Sequence, residues 1–134
     1  MLTNDKDWVS SWVADKDGGD FPTGCFAAIG AVDDNDSLVA GVVYDHYTES
    51  CVTATIAVEK KNLPRQFLRA IFKYPFEQLG VSKIIVYVNE ANKASVRLAT
   101  KLGFAVEAKI KDVYPDGAMF IMGLNKANCV WLGR

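Results

Sequence analysis

Two short stretches of the chain combine residue types that can hold and activate a ligand. The first is VEKKNLPRQ, residues 58–66, where an apolar, β-branched run gives way to Lys60 and Lys61, then Asn62, Leu63, Pro64 and Arg65. Asn62 has the side chain of a helix N-cap, and Pro64 suits a first helical turn, where its missing N–H is not needed. Free N–H groups at such a helix start, together with the positive end of its dipole, suit a phosphate or pyrophosphate. Lys60, Lys61 and Arg65 are poor partners for that end of a helix, so an anionic ligand would give them a reason to be there. A solvated loop with three idle cations is the simpler reading of this segment taken alone.

The second stretch is NEANKASVRLATKLGF, residues 89–104, which follows the strand-like KIIVYV without a gap. Asn92 can cap the helix that begins there, and Ser95 falls three residues later on its first turn. Capping explains Asn92 without any ligand, and a surface or packing role explains Ser95. Polar residues between a buried strand end and a helix start are nevertheless where α/β folds place ligands. If the strands ending at Val58 and Val88 are parallel neighbours, both helix starts open at one edge of the sheet. That edge would suit a ligand with phosphates at one end and a reactive acyl group at the other.

The elements that would carry these stretches are legible from periodicity. Trp8, Val9, Trp12 and Val13 predict one face of a helix over residues 4–15. Strands are expected at 25–32, 38–47 and 51–58, the first two joined by the DDNDS turn as a hairpin. Leu63, Phe67, Leu68, Ile71, Phe72, Phe76 and Leu79 form a long helical stripe, kinked by Pro75 and closed by Gly80. The β-branched run 83–88 predicts a strand covered on both faces. A helix over 92–102 ends at Gly103, and the turn Pro115–Asp116–Gly117 joins a final hairpin. Trp131 and Leu132 in the tail are expected to dock on the body. The strand–helix–strand unit in the middle requires a parallel pair, while the hairpins are antiparallel. The fold class is therefore α+β, a mixed sheet of six to seven strands flanked by helices, in a single domain spanning 1–134.

Bulk properties narrow the function. The chain has 134 residues, Lys+Arg 15 against Asp+Glu 16, and 50% hydrophobic residues. It is long enough to bury a core without staples. Its even charge points to neither nucleic acid nor a membrane surface as partner. Cys25, Cys51 and Cys129 are widely spaced with no Cys-x-x-Cys pair, so neither a disulfide framework nor a metal site is expected. The N-terminal MLTNDKDWVSSW lacks a basic, then apolar, leader pattern, and a cytoplasmic location is the expectation.

Taken with Asn92, Ser95, Lys101, Gly103, Phe104 and Glu107, the segment 89–124 resembles the C-terminal half of a Gcn5-related N-acetyltransferase (GNAT). It is similar to the branch around ribosomal-protein N-terminal acetyltransferases, with its Asn-x-x-Ser element, Lys-x-Gly-Phe helix end, Glu and hairpin. FLRAIFKYPFEQLGVSKI and the tail CVWL are similar to a phage and prophage subgroup. The strand order fits across roughly residues 24–125. Two positions differ. The superfamily's pyrophosphate loop reads Arg/Gln-x-x-Gly-x-Gly/Ala, whereas Lys60–Arg65 contains no glycine. Many relatives place a Tyr four residues before the Gly of Gly-Phe, and here that residue is Ala99.

The resemblance implies transfer of the acetyl group of acetyl-CoA to a primary amine, on a small molecule, a protein N-terminus or a lysine, by direct attack on the thioester. It assigns Val58, Lys60, Lys61, Asn62, Leu63, Arg65, Asn92 and Ser95 to the cofactor, with no metal, and makes a homodimer an expected assembly. For the base it leaves His46, the sole histidine, and Glu49; for the acid, Ser95, with Tyr87 or Tyr114 in reach. Polar turn residues with no catalytic part are the plain reading of His46 and Glu49, and proximity with water relaying protons is an alternative to both roles. A different class of function uses the same fold as a non-catalytic binding module, holding a partner on Trp8, Trp12 and Trp131.

Overall fold

The computed structural model describes residues 1–17, 26–59 and 63–132. In chain order the elements are β1 (Leu2–Thr3), α1 (Lys6–Asp17), β2 (Ala27–Val32), β3 (Leu38–Asp45), β4 (Cys51–Val58), α2 (Arg65–Lys73), a π-helical turn (Tyr74–Leu79), β5 (Lys83–Asn89), α3 (Lys93–Leu102), β6 (Ala105–Tyr114), β7 (Gly117–Asn125) and a 3₁₀ turn (Lys126–Asn128). The strands form one sheet in the order β1-β2-β3-β4-β5-β7-β6. Every pairing is antiparallel except β4 with β5, the parallel pair that the strand–helix–strand unit requires. The short β1, which periodicity did not reveal, adds to the outer edge of β2.

The two faces of the sheet carry separate cores. On one, α2, the π-helical turn and α3 cover Tyr44, Val52, Ala54, Ile84, Val86 and Met122. On the other, α1 packs against β2, β3 and β4, burying Val9 and Val13 completely. Gly30 and Gly41, paired across β2 and β3, make that approach possible. A Cβ on Gly41 would lie 2.8 Å from Val13 Cγ2, and one on Gly30 2.9 Å from Val9 Cγ2. The helix therefore rests on bare backbone.

Three expectations need correction. Trp8 does not join the buried face of α1; it is 40% exposed, because Val9 and Val13, four residues apart, already occupy the line that meets the two glycines. β5 is not covered on both faces: Ile84, Val86 and Val88 are buried, but Tyr87 is 47% exposed. The reason is lateral, since α1 lies over β2–β4 and stops short of β5. Finally, Pro64 itself occupies the N-cap of α2 instead of its first turn. Asn62, Lys60, Lys61 and Cys25 lie outside the described residues.

Pro75 acts on its helix through the bond it cannot make. In an unbroken α-helix the Ile71 carbonyl would accept from residue 75, which as proline has no N–H. The chain widens into the π-helical turn at Tyr74, and the buried Tyr44 Oη donates to that same Ile71 carbonyl at 2.5 Å. Burial, and then the neighbouring Tyr74 hydroxyl, holds the Tyr44 phenol well above its ordinary pKa. A raised folded-state value means that the unfolded chain loses this proton first, so stability falls as pH rises above about 10. Tyr44→Phe is expected to lose about 1–2 kcal/mol at neutral pH, the net worth of a buried hydrogen bond whose acceptor stays behind. The same variant should lose less stability than the parent between neutral pH and pH ~11 in urea titrations; equal losses would contradict this role.

Candidate active site

The site begins where the parallel pair comes apart. β4 and β5 are paired only through Cys51–Lys83, Val52–Ile84 and Thr53–Ile85. Beyond that point β4 continues to Val58 on β3 alone, and β5 continues to Asn89 on β7 alone. The backbone groups of each strand that face the gap therefore have no ladder partner. Into this wedge opens a cavity of about 240 Å³ between the two strands and α3.

The cavity has a polar and an apolar end. Asn92 caps α3 by accepting from the Ser95 N–H at 3.1 Å, which fixes both residues at the helix start. Asn89 is fixed too: its Nδ2 donates to Asp116 Oδ1 at 2.8 Å and its Oδ1 accepts from the Ala91 N–H at 3.0 Å. These three, with Thr55, Tyr87 and Tyr114, supply the polar lining. Farther along α3, Leu98, Ala99 and Leu102 face the cavity together with Phe104 and Val86. Ser95, Ala99 and Leu102 are spaced i, i+4 and i+7, the spacing of one helical face. Gly103 ends the helix in the left-handed region at φ 112°, where its N–H returns to the Ala99 and Thr100 carbonyls. That turn delivers Phe104 to the cavity floor.

The other expected residues fall at two further places. Arg65 opens α2 and is exposed; Pro64 before it has no side chain that could accept from the first N–H groups, and no acidic residue stands in the first turn. Leu63 and Val58 pack at the margin of the core. His46 and Glu49 lie in the exposed turn between β3 and β4, both with positive φ, 48° and 74°, and neither lines the cavity. His46 is nevertheless tied to the point where the strands part. Its Nδ1 is 3.2 Å from Thr53 Oγ1, and Thr53 belongs to the last β4–β5 pair. Thr53 Oγ1 donates its only proton to the Asp45 carbonyl at 3.1 Å, so toward His46 it can only accept. This assigns the proton to Nδ1 and leaves the Nε2 lone pair for other partners. Thr53 and Thr55 lie on the same face of β4, two residues apart.

Thr55, Asn89 and the closed-end pair Thr53–Ile85 were not singled out by sequence reasoning; the period of β4 could have flagged the two threonines as a polar face, but nothing local marks where pairing stops. The two thiols among the described residues are poor nucleophile candidates. Cys129 is buried in the core, and burial pushes the Cys51 thiol above its ordinary pKa, opposed in part by the Lys83 ammonium. Among the described residues no group of three His, Cys, Asp or Glu could hold a metal, and no helix is long and apolar enough to cross a membrane. The tryptophans do not make one surface. Trp12 packs with the α1 core, whereas Trp131 stacks on Phe72 and donates to the Leu102 carbonyl at 3.0 Å on the opposite face of the sheet.

Comparison with known proteins agrees with this geometry. The chain superposes on a variant of spermidine N-acetyltransferase SpeG from Vibrio cholerae with a TM-score of 0.78 at 14% identity, covering 100% of this chain and 96% of that one. A dodecameric structure of the same Vibrio enzyme gives 0.74 at 14% identity, over 95% and 94%. The N-acetyltransferase PseH from Campylobacter jejuni, in complex with acetyl coenzyme A, gives 0.60 at 18% identity, over 75% and 67%. At these identities the likeness is one of fold. No curated protein sequence matches the chain. The model of the acetyltransferase (GNAT) domain, however, matches residues 3–105, more than half of the chain, and the protein belongs to that family of acetyltransferases.

Proposed function

We propose that this acetyltransferase domain moves the acetyl group of acetyl-CoA to the nitrogen of a primary amine, on a small molecule or a protein, within a ternary complex. The observation that carries the reading is the parting of β4 from β5 after Thr53–Ile85, with the cavity opening between unpaired strand edges. The residues present fit the donor. The free edge of β4 out to Val58 offers backbone groups to the amides of the pantetheine arm, and the start of α2, with Leu63, Arg65, Lys60, Lys61 and Asn62, receives the pyrophosphate. Basic side chains there stand in for the glycines of the usual cradle. Acetyl-CoA supplies the activated thioester; everything else is positioning and proton transfer by the chain.

Asn92 and Ser95 form the polar wall against the thioester. Ser95 is the proposed donor toward the departing sulfur, with the Tyr114 and Tyr87 hydroxyls on the same lining. His46 is the proposed base, acting through Nε2 directly or through one water, because Thr53 holds its ring at the closed end of the wedge. Glu49, in the same exposed turn, is the second candidate. The cytoplasm is the proposed location, and affinity with the phage and ribosomal-protein branches is proposed from the segments quoted above. A homodimer is the proposed assembly. Edge strand β6, with Val106, Ile110 and Val113 exposed, supports it.

Titration with acetyl-CoA followed by thermal unfolding tests the reading. At about a hundred times its Kd the ligand should stabilise the fold by about 2.7 kcal/mol. Replacing Lys60, Lys61 and Arg65 together by Ala should weaken binding by roughly a hundredfold, taking about 1 kcal/mol for each ion pair and 1.4 kcal/mol per tenfold. No shift at millimolar acetyl-CoA would defeat the enzyme reading and favour a binding module.

A further inference from the structure

We propose that the apolar end of the cavity accepts acyl groups longer than acetyl, up to about four carbons, so that butyryl-CoA binds more tightly than acetyl-CoA. This rests on the acyltransferase reading above and concerns the identity of the acyl group.

Two small residues stand in the cavity walls. Ala54 on β4 and Ala99 on α3 both line the cavity and are 5% and 7% exposed. Each stands where its element is otherwise bulky: Val52 and Ile56 flank Ala54 on the same face of β4, and Leu98 and Leu102 flank Ala99 on α3. Both the strand wall and the helix wall are thus cut back to a methyl group. Ala54 lies next to Thr53, the last residue of β4 paired with β5, so the extra room lies at the closed end. The polar groups sit at the other end, at the α3 start, where Asn89, Asn92 and Ser95 are held by their own hydrogen bonds.

Volume favours a longer chain. A water-sized group takes up about 30 Å³, and a dry cavity of about 150 Å³ lined by Leu, Ile and Phe holds a six-carbon ring. A cavity of about 240 Å³ is larger than that. The sulfur, carbonyl and methyl of an acetyl thioester would occupy roughly half of it, and the adjoining carbons of the arm part of the rest. Room for about two further methylenes remains beside Val86, Leu102 and Phe104. Methylenes placed there would exchange contact with water for contact with apolar side chains. Each methylene that fills the space should tighten binding about fourfold, or on the order of tenfold for two.

Isothermal titration of the full chain with CoA, acetyl-CoA and butyryl-CoA tests this, together with Ala99→Leu, which fills the helix wall. The expected result is a Kd for butyryl-CoA about tenfold below that for acetyl-CoA, and a ratio that falls to one or reverses in Ala99→Leu. Should circular dichroism show that Ala99→Leu is unfolded, Ala54→Val carries the same comparison from the strand wall. Acetyl-CoA binding with butyryl-CoA equal or weaker would overturn this inference and leave the acetyltransferase reading standing. An unchanged preference in a folded variant would overturn it as well. If none of the three ligands binds, the reading of the site fails and this inference fails with it.

Discussion

His46→Ala is expected to lower kcat for amine acetylation by about 10²–10⁴-fold, the usual span for removing a positioned general base, with the Kd for acetyl-CoA nearly unchanged. The expectation depends on how the ring is held. The Thr53 hydroxyl donates to the Asp45 carbonyl, Thr53 Oγ1 then accepts from His46 Nδ1, and Nε2 is left for the amine or a bridging water. None of these groups belongs to the α2 start or the α3 wall, so donor binding should not report the change. Added imidazole should restore part of the rate in His46→Ala, which a merely structural histidine would not allow. Thr53→Val, which removes the acceptor but not the base, should fall between parent and His46→Ala. A kcat within about threefold of the parent would exclude His46 and make Glu49→Gln the next variant to measure.

Phe72→Ala should lose about 3–5 kcal/mol of folding stability, a large share of the 5–15 kcal/mol typical of a domain. Phe72 is fully buried and joins three parts of the molecule. Its ring lies 6.2 Å from that of Phe104 on the cavity floor and 6.3 Å from that of Trp131, which is stacked on it at 11°. Trp131 in turn donates to the Leu102 carbonyl at the end of α3. Removing the ring leaves a cavity between α2, the end of α3 and the C-terminal tail, and none of these can close it alone. With a urea slope of about 2 kcal/mol/M, the unfolding midpoint should drop by ~1.5–2.5 M. A loss below about 1.5 kcal/mol would mean that the tail repacks freely and that Trp131 does not anchor it. Phe72 does not line the cavity, so whatever folded variant remains should still bind acetyl-CoA.

Much of the fold could be read directly from the sequence because the signals are local. β4 occupies the 51–58 segment that its β-branched alternation marks, and the Asn92 cap and the Gly103 stop bracket α3 as their side-chain chemistry requires. The docking of Trp131 was likewise visible as two large apolar residues with no element of their own. The helix beginning near Pro64 was located to within a residue or two, although its cap was misassigned, since Asn62 and Pro64 compete for the same role in any reading based on residue type. The resemblance to the family rested on residues 89–124, whereas the family model matches residues 3–105.

By itself, then, the sequence determined which segments are strands and helices, that one strand pair is parallel, and that Asn92 and Ser95 stand at a strand–helix junction. These follow from hydrogen bonds and periodicities that operate within a few residues. Only the tertiary structure decided that β4 and β5 part after Thr53, that Ala54 and Ala99 line one cavity, and that His46 meets Thr53 of the last paired step. It also decided that Trp8 and Tyr87 are left in solvent. In each case the outcome depends on packing partners far away in sequence. A strand's own residues say that it will pair, but contacts distant in sequence decide how far along its length that pairing runs.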